Sequence, residues 1–224
     1  MISLRALIPT DYLHPLDREA MATLRKVPGL TEIVRKVNSV GLDRLVHMEC
    51  MANSVRVGPR QFPTLYRVFQ EVCDTVGVSG VDLFVQQQFA LNAFTMGVER
   101  PMVVVTTQTV QQMAEDELRF ILGHELGHVK SEHVLFLQIG AYLPMLMSVV
   151  GQLTLGLGRL VGAGFELALY DWCRKAEFSA DRVGLLAVQD LHAARRAFYK
   201  LAGVPASLEN EFSLQEISRQ AAEF

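Results

Sequence analysis

One stretch of the sequence carries side chains suited to binding a metal ion. Residues 124–128 read His-Glu-Leu-Gly-His. On a helix, side chains four residues apart lie on one face, so His124 and His128 can present two imidazole nitrogens to one zinc ion. Glu125 projects about 100° further round the helix, where it can reach an activated water without being a ligand. This pattern predicts metal-assisted hydrolysis with Glu125 as the general base.

A third protein ligand is expected, because catalytic zinc usually has three protein ligands and one open position. Glu177 lies on a second predicted helix, and Asp181 follows four residues later on the same face. The Asp181 carboxylate could accept a hydrogen bond from a zinc-bound histidine and so determine its tautomer. The alternative is a solvated helix face on which these acids pair with neighbouring arginines.

The predicted helix that carries the two histidines also has a face suited to core packing. Gly123 and Gly127 leave a bare strip where another element can approach closely. Acidic residues 115–117 lie at the predicted helix start, where they complement the macrodipole. A stripe of apolar side chains runs beside the histidine face and comprises Leu118, Leu122, Leu126 and Val129.

Hydrophobic spacing and turn residues predict the elements around this helix. Gly58, Pro59 and Pro63 mark a boundary, so residues 1–60 are predicted to form an N-terminal helical extension and residues 61–224 the catalytic domain. The predicted helices cover residues 30–40, 65–77, 109–140, 170–190 and 191–202, and the predicted strands cover residues 81–87 and 101–108. The fold class that follows is α+β and mainly helical, with a small sheet.

Residues 134–169 are predicted to form an apolar helical insertion. Its first part, Val134–Gly158, has 25 residues without a formal charge. As one helix it would be about 37 Å long, enough to cross a bilayer. It also contains four glycines, Pro144 and two glutamines, which suit a buried helical hairpin equally well. Three interpretations stay open: a membrane span, contact with a membrane surface or a second copy, and a buried element.

Composition excludes several classes of protein. The chain has 224 residues and a net charge of −3, a balance that argues against nucleic acid as a partner. Half of the residues are hydrophobic and 20% are charged, which excludes disorder. Cys50, Cys73 and Cys173 lie far apart, so we expect three buried thiols in a reducing compartment. The N-terminus has no secretory pattern, and a cytoplasmic location is therefore expected.

The paired motifs resemble those of a known family. The HELGH sequence at 124–128, followed by E-x-x-A-D at 177–181, is similar to the gluzincin metallopeptidases of the HtpX heat-shock and CAAX-prenyl-protease family. Asn92-Ala93-Phe94, the strand at 103–107 and the HVKSEH extension match as well, and the resemblance covers about residues 60–203. It implies a zincin-like domain in which one zinc ion is held by His124, His128 and Glu177, with Glu125 as base.

The resemblance also implies how substrate is held. An edge strand, here Met102–Thr106, would bind a peptide in extended form. An arginine on the helix after the third ligand, or a histidine at the start of that helix, could stabilise the charge that develops on the carbonyl oxygen. The candidate substrate or oxyanion contacts are Asn92, Val104, His192, Arg195 and Arg196.

The remaining histidines are not expected to be ligands. His133 lies five residues after His128, and helical geometry would turn it about 140° away from that ligand, towards the apolar stripe. We therefore predict a packed, hydrogen-bonded side chain. His14 and His47 have no partner pattern and are predicted to be structural.

These observations predict a zinc-dependent endopeptidase acting on peptide or unfolded protein in the cytoplasm. Association with a membrane or a second copy through residues 134–158 is left open. One alternative is a latent form, in which the first 60 residues or the tail after Gly203 cover the cleft. Another is a non-cleaving, metal-stabilised chaperone or binding module. An intact Glu125 argues against that module, because binding alone needs no general base.

Overall fold

The computed structural model describes residues 6–27, 30, 34, 41–153 and 158–223, which form helices packed around a small sheet. The helices are α1 (Pro9–Tyr12), α2 (Pro15–Leu24), α3 (Leu42–Asn53), α4 (Pro63–Val76), α5 (Thr107–Gln112), α6 (Glu115–Lys130), α7 (Val134–Leu153), α8 (Gly158–Val188), α9 (Leu191–Leu201) and α10 (Leu214–Ala222). The strands are β1 (Ser54–Arg56), β2 (Asp82–Gln86), β3 (Ala93–Met96) and β4 (Met102–Thr106). The predicted α+β, mainly helical class is confirmed. Of the helix predicted over residues 30–40, all but residues 30 and 34 lies outside the described residues.

The sheet has the strand order β1-β2-β4-β3. Strands β2 and β4 are parallel, and β3 pairs antiparallel with the other side of β4. The prediction that Met102–Thr106 is an edge strand is therefore wrong. Pro101 precedes the strand, and its carbonyl still accepts a hydrogen bond from the backbone N–H of Asp82. All five residues of β4 are buried, as is typical of a strand covered on both faces.

Both faces of the sheet are covered by helices. Val103 and Val105 point into a core shared with α4 and α6. Val104 and Phe84 point the other way, into a core shared with α2, α3, α7 and α8. Side-chain alternation along a strand produces this division, and it places the histidine helix against one face of the sheet.

The bare strip of α6 lies directly against α8. A Cβ added at Gly123 would lie 2.3 Å from Cβ of Ala187, and one added at Gly127 would lie 2.9 Å from Cβ of Val183. Neither contact leaves room for a methyl group. The predicted close approach is thus confirmed, and it sets the distance between the two helices that carry the candidate ligands.

The prediction of a single helix over residues 109–140 is wrong. This segment is broken twice, first between α5 and α6, where Glu117 Oε2 accepts a hydrogen bond of 2.7 Å from the backbone N–H of Ala114. The second break follows Lys130, where Glu132 has a positive φ of 58° that turns the chain out of the helix. His133 therefore does not continue the helix of His124 and His128.

The described N-terminal helices pack onto the rest of the chain. Tyr12 and Asp17 are buried, and the Tyr12 hydroxyl donates a hydrogen bond of 3.1 Å to the Lys130 carbonyl. The division between residues 1–60 and 61–224 stays a prediction. Cys50 and Cys73 are buried and Cys173 is partly buried, all as free thiols.

The apolar insertion begins as a buried helix. Val134, Ile139 and Leu143 of α7 are buried, and the latter two pack in the core shared with α8 and the sheet. Residues 154–157 lie outside the described part of the chain. Among the helices as far as they are described, none combines the length and apolar character needed to cross a membrane.

Candidate metal centre and active site

The three predicted ligands meet where α6 packs on α8. The Nε2 atoms of His124 and His128 are 3.2 Å apart. Glu177 places Oε2 3.2 Å from Nε2 of His124 and Oε1 3.6 Å from Nε2 of His128. All of the potential ligand atoms lie within 4.8 Å of one another. The small residues between the helices make this convergence possible.

The donor set is suited to a cation. Nδ1 of His124 lies 2.9 Å from Oδ1 of Asp181, so this nitrogen donates and Nε2 faces the cluster. Lone pairs on two nitrogens and a carboxylate would repel each other at these distances without a positive charge among them. Two imidazoles and a carboxylate are ligands that zinc accepts, so the residues fit such an ion.

The pKa values of His124 and His128 are shifted in opposite directions by their surroundings. Burial alone would lower the pKa of His124, but hydrogen bonds to Asp181 and Glu177 raise it to about 10. Burial and the nearby positive charge of His124 hold the pKa of His128 well below its usual range. The neighbouring acids therefore favour the protonated form of His124, and its charge disfavours protonation of His128.

Glu125 is buried beside this cluster. Its Oε2 accepts a hydrogen bond of 2.6 Å from the hydroxyl of Thr95, which lies on β3. Burial raises the pKa of Glu125, while the charge of His124 and the bond from Thr95 act against that rise. A raised carboxyl pKa suits a group that must accept and return a proton near neutral pH.

A cavity of about 590 Å³ opens over these side chains. Strand β3 and Asn92 form one wall, and most of the remaining lining is apolar, including Phe120, Leu137 and Phe198. The lining residues all fall between 92 and 201. The described parts of the first 60 residues and of the tail after Gly203 do not contribute, so the proposed cover of a latent form is not seen in them.

Four of the predicted substrate or oxyanion contacts do not line this cavity. Val104 belongs to β4 and is only 1% exposed, because its side chain points into the core. Arg196 pairs with Asp116 and Glu117, because the acidic start of α6 lies opposite α9. The other two are Arg195, whose Nε donates a hydrogen bond to the Tyr199 hydroxyl, and His192, which is exposed at the start of α9.

The strand beside the metal cluster is β3 rather than β4. The matching signal in the sequence was Asn92-Ala93-Phe94, which leads directly into Ala93–Met96. The valine-rich run was the stronger strand pattern, but such runs are typical of interior strands.

His133 is buried and hydrogen-bonded, as predicted, but it faces the metal cluster. Its Nδ1 lies 3.2 Å from Nδ1 of His128, and its Nε2 lies 3.1 Å from Oδ2 of Asp17. The expected direction assumed an unbroken helix, and the turn at Glu132 reverses it. Nothing in the sequence around Asp17 indicated a link to the site.

Comparison with known proteins agrees with the geometry. Residues 59–221 match the sequence profile of Peptidase family M48. The chain is 29% identical over 217 residues to a plastoglobule-localized metallopeptidase 48, chloroplastic, of Arabidopsis thaliana, covering 96% of this chain and 62% of the relative. Protease HtpX homologs of Paraburkholderia phytofirmans and Ralstonia pickettii are each 26% identical over 182 residues, covering 69% of this chain and 63% of each relative.

The chain thus spans slightly less than two thirds of the length of these curated relatives. No solved structure matches it. The resemblance to the HtpX group is confirmed, while a relation to the CAAX-prenyl proteases stays a prediction.

Proposed function

The chain belongs to Peptidase family M48, and on that premise we propose that it is a zinc-dependent endopeptidase. The observation that carries the proposal is the convergence of His124, His128 and Glu177 beside a buried Glu125, at the floor of an open cavity. A site that only bound metal for stability would be closed and would have no need of an acid–base group beside it.

The reaction assigns a separate task to each side chain. A bound zinc ion would act as a Lewis acid on the scissile carbonyl and lower the pKa of a water molecule. His124, His128 and Glu177 would hold that ion, and Asp181 orients His124. Glu125 accepts the proton of the attacking water and delivers it to the leaving amine.

The substrate we propose is an extended peptide with apolar side chains, such as an unfolded segment. Strand β3 is an edge of the sheet, and an edge strand can pair with an extended chain through its backbone. Phe94 and Met96 of this strand line the cavity, so they would contact apolar side chains of the peptide. Asn92 is exposed at the start of the strand and is the predicted contact that this geometry favours.

For location we propose the cytoplasm. The Arabidopsis relative is named as plastoglobule-localized. That name favours a lipid surface over a second copy of the chain as the partner of residues 134–158.

The test compares the wild type with Glu125→Gln on casein and on an apolar peptide, with zinc content measured for both. We expect one zinc ion per chain in both proteins, and a rate at least about a hundredfold lower in the variant. Zinc in both proteins with cleavage by neither would favour the non-cleaving module. Equal cleavage by both would exclude Glu125 as the base.

A further inference from the structure

Asp17, on helix α2 near the N-terminus, is a buried carboxylate at the centre of three hydrogen bonds. Its Oδ1 accepts from Nε1 of Trp172 at 2.9 Å. Its Oδ2 accepts from the Ser179 hydroxyl at 2.5 Å and lies 3.1 Å from Nε2 of His133. The side chain is only 3% exposed. These donors offset the cost of removing the carboxylate from water.

His133 connects this carboxylate to the metal cluster. The imidazole is buried and uses both nitrogens, Nε2 towards Asp17 and Nδ1 towards Nδ1 of His128 at 3.2 Å. The ring also packs edge-on against Trp172, with ring centroids 5.4 Å apart. These contacts hold the imidazole in one orientation.

The direction of the hydrogen bonds follows from the carboxylate. Burial alone would raise the pKa of Asp17, but the bonds from His133, Ser179 and Trp172 lower it overall, so the group is ionised at neutral pH. An ionised carboxylate only accepts, and Nε2 of His133 must therefore donate. In a neutral imidazole, Nδ1 is then an acceptor. When Nε2 of His128 serves as a metal ligand it carries no proton, so the proton of that ring lies on Nδ1, and this N–H donates the 3.2 Å hydrogen bond to Nδ1 of His133.

We propose that Asp17 is a positioning residue of the metal centre. Through His133 it selects the tautomer of His128 whose unprotonated Nε2 faces His124 and Glu177 and would bind the metal, and it holds that ring in place. Asp181 orients His124 directly, whereas Asp17 orients His128 through an intervening imidazole. Helix α2 is then part of the site, although it lies far from the ligands in sequence. The inference rests on the proposed metal centre.

The test measures zinc affinity of the full chain by competition with a chromophoric chelator, after removal of metal. In Asp17→Asn the carboxamide presents either an N–H to His133 or an N–H to Trp172, and the first arrangement reverses the His133–His128 bond. We expect zinc binding to weaken about 10- to 100-fold. Ser179→Ala is the matched control: it removes a hydrogen bond from the same oxygen of Asp17 and leaves His133 unchanged, so affinity should stay within about twofold.

A second pair of variants covers the case in which Asp17→Asn does not fold. His133→Leu removes the relay, and we expect the same loss of zinc affinity. His133→Gln carries an NH₂ donor group and a carbonyl acceptor at the end of the side chain and should recover most of the lost zinc affinity.

These measurements distinguish two roles for Asp17: positioning His128 through His133, or only anchoring helix α2 to the rest of the fold. Equal zinc affinity in Asp17→Asn and Ser179→Ala, or in His133→Leu and His133→Gln, would overturn the inference. The zinc affinities could follow the expected order even if the chain cleaves no peptide. That result would support the role of Asp17 and contradict the proposed peptidase function.

Discussion

The hydroxyl of Thr95 donates a hydrogen bond to the carboxylate of Glu125, with 2.6 Å between Oγ1 and Oε2. The same hydroxyl lies 3.1 Å from the backbone carbonyl of Glu125. Thr95 belongs to β3, so the strand proposed to bind the peptide also contacts the proposed base.

Removing this hydroxyl should slow catalysis without releasing metal. In Thr95→Val we expect kcat/KM to fall about tenfold, because the carboxylate loses a hydrogen bond worth about 1.5 kcal/mol and is less well oriented. Peptide cleavage and zinc content are measured on the same preparation. Thr95→Ser keeps the hydroxyl and should retain most of the rate. A valine variant as fast as the wild type would show that Thr95 does not position Glu125.

The hydrogen bond from His124 to Asp181 should govern metal affinity. We expect Asp181→Asn to weaken zinc binding about 10- to 100-fold, because the amide no longer selects the tautomer of His124. Asp171→Asn is the control, since Asp171 lies on the same helix and pairs with Lys175 at 2.7 Å instead of a ligand. If the two variants bind zinc equally well, Asp181 has no role at the metal centre.

The close approach of α6 and α8 predicts an unusual response to glycine replacement. Alanine normally stabilises a helix by about 1 kcal/mol relative to glycine. At Gly123 the added methyl would lie 2.3 Å from Cβ of Ala187, so we expect a loss of about 1–3 kcal/mol in the free energy of unfolding. Gly164→Ala, whose Cβ would have no atom of the described residues within 4 Å, should stabilise α8 instead. Denaturant unfolding measures both, and a stabilised Gly123→Ala would contradict the packing.

Asp17 should also make the stability of the metal-free chain depend on pH. Its pKa is lower in the folded chain than the value of about 3.9 expected when unfolded. The stabilisation is therefore present above pH 4 and is lost as the pH falls through the folded pKa. We expect the wild type to exceed Asp17→Asn by about 1–3 kcal/mol in the free energy of unfolding at pH 7. The difference should shrink below pH 4, and a constant difference would show that the charge of Asp17 does not stabilise the fold.

The sequence by itself determined the local part of the site. His124, Glu125 and His128 belong to one helix, whose geometry is set by nearest neighbours, so spacing alone placed two imidazoles on a common face. Gly123 and Gly127 indicated a close neighbour for the same reason. The resemblance of residues 177–181 to a known motif pointed to Glu177 and Asp181 on the second helix.

Only the tertiary structure decided which strand lies at the edge of the sheet and which side chains contact Nδ1 of His128. Strand order depends on backbone pairing between distant segments, and the run Met102–Thr106 would read alike at an edge or in the middle of the sheet. The turn at Glu132 redirects His133, and packing of α2 on α8 brings Asp17 to it from the other end of the chain. Contacts between residues so far apart leave no periodic pattern in the sequence, because they depend on how whole elements pack.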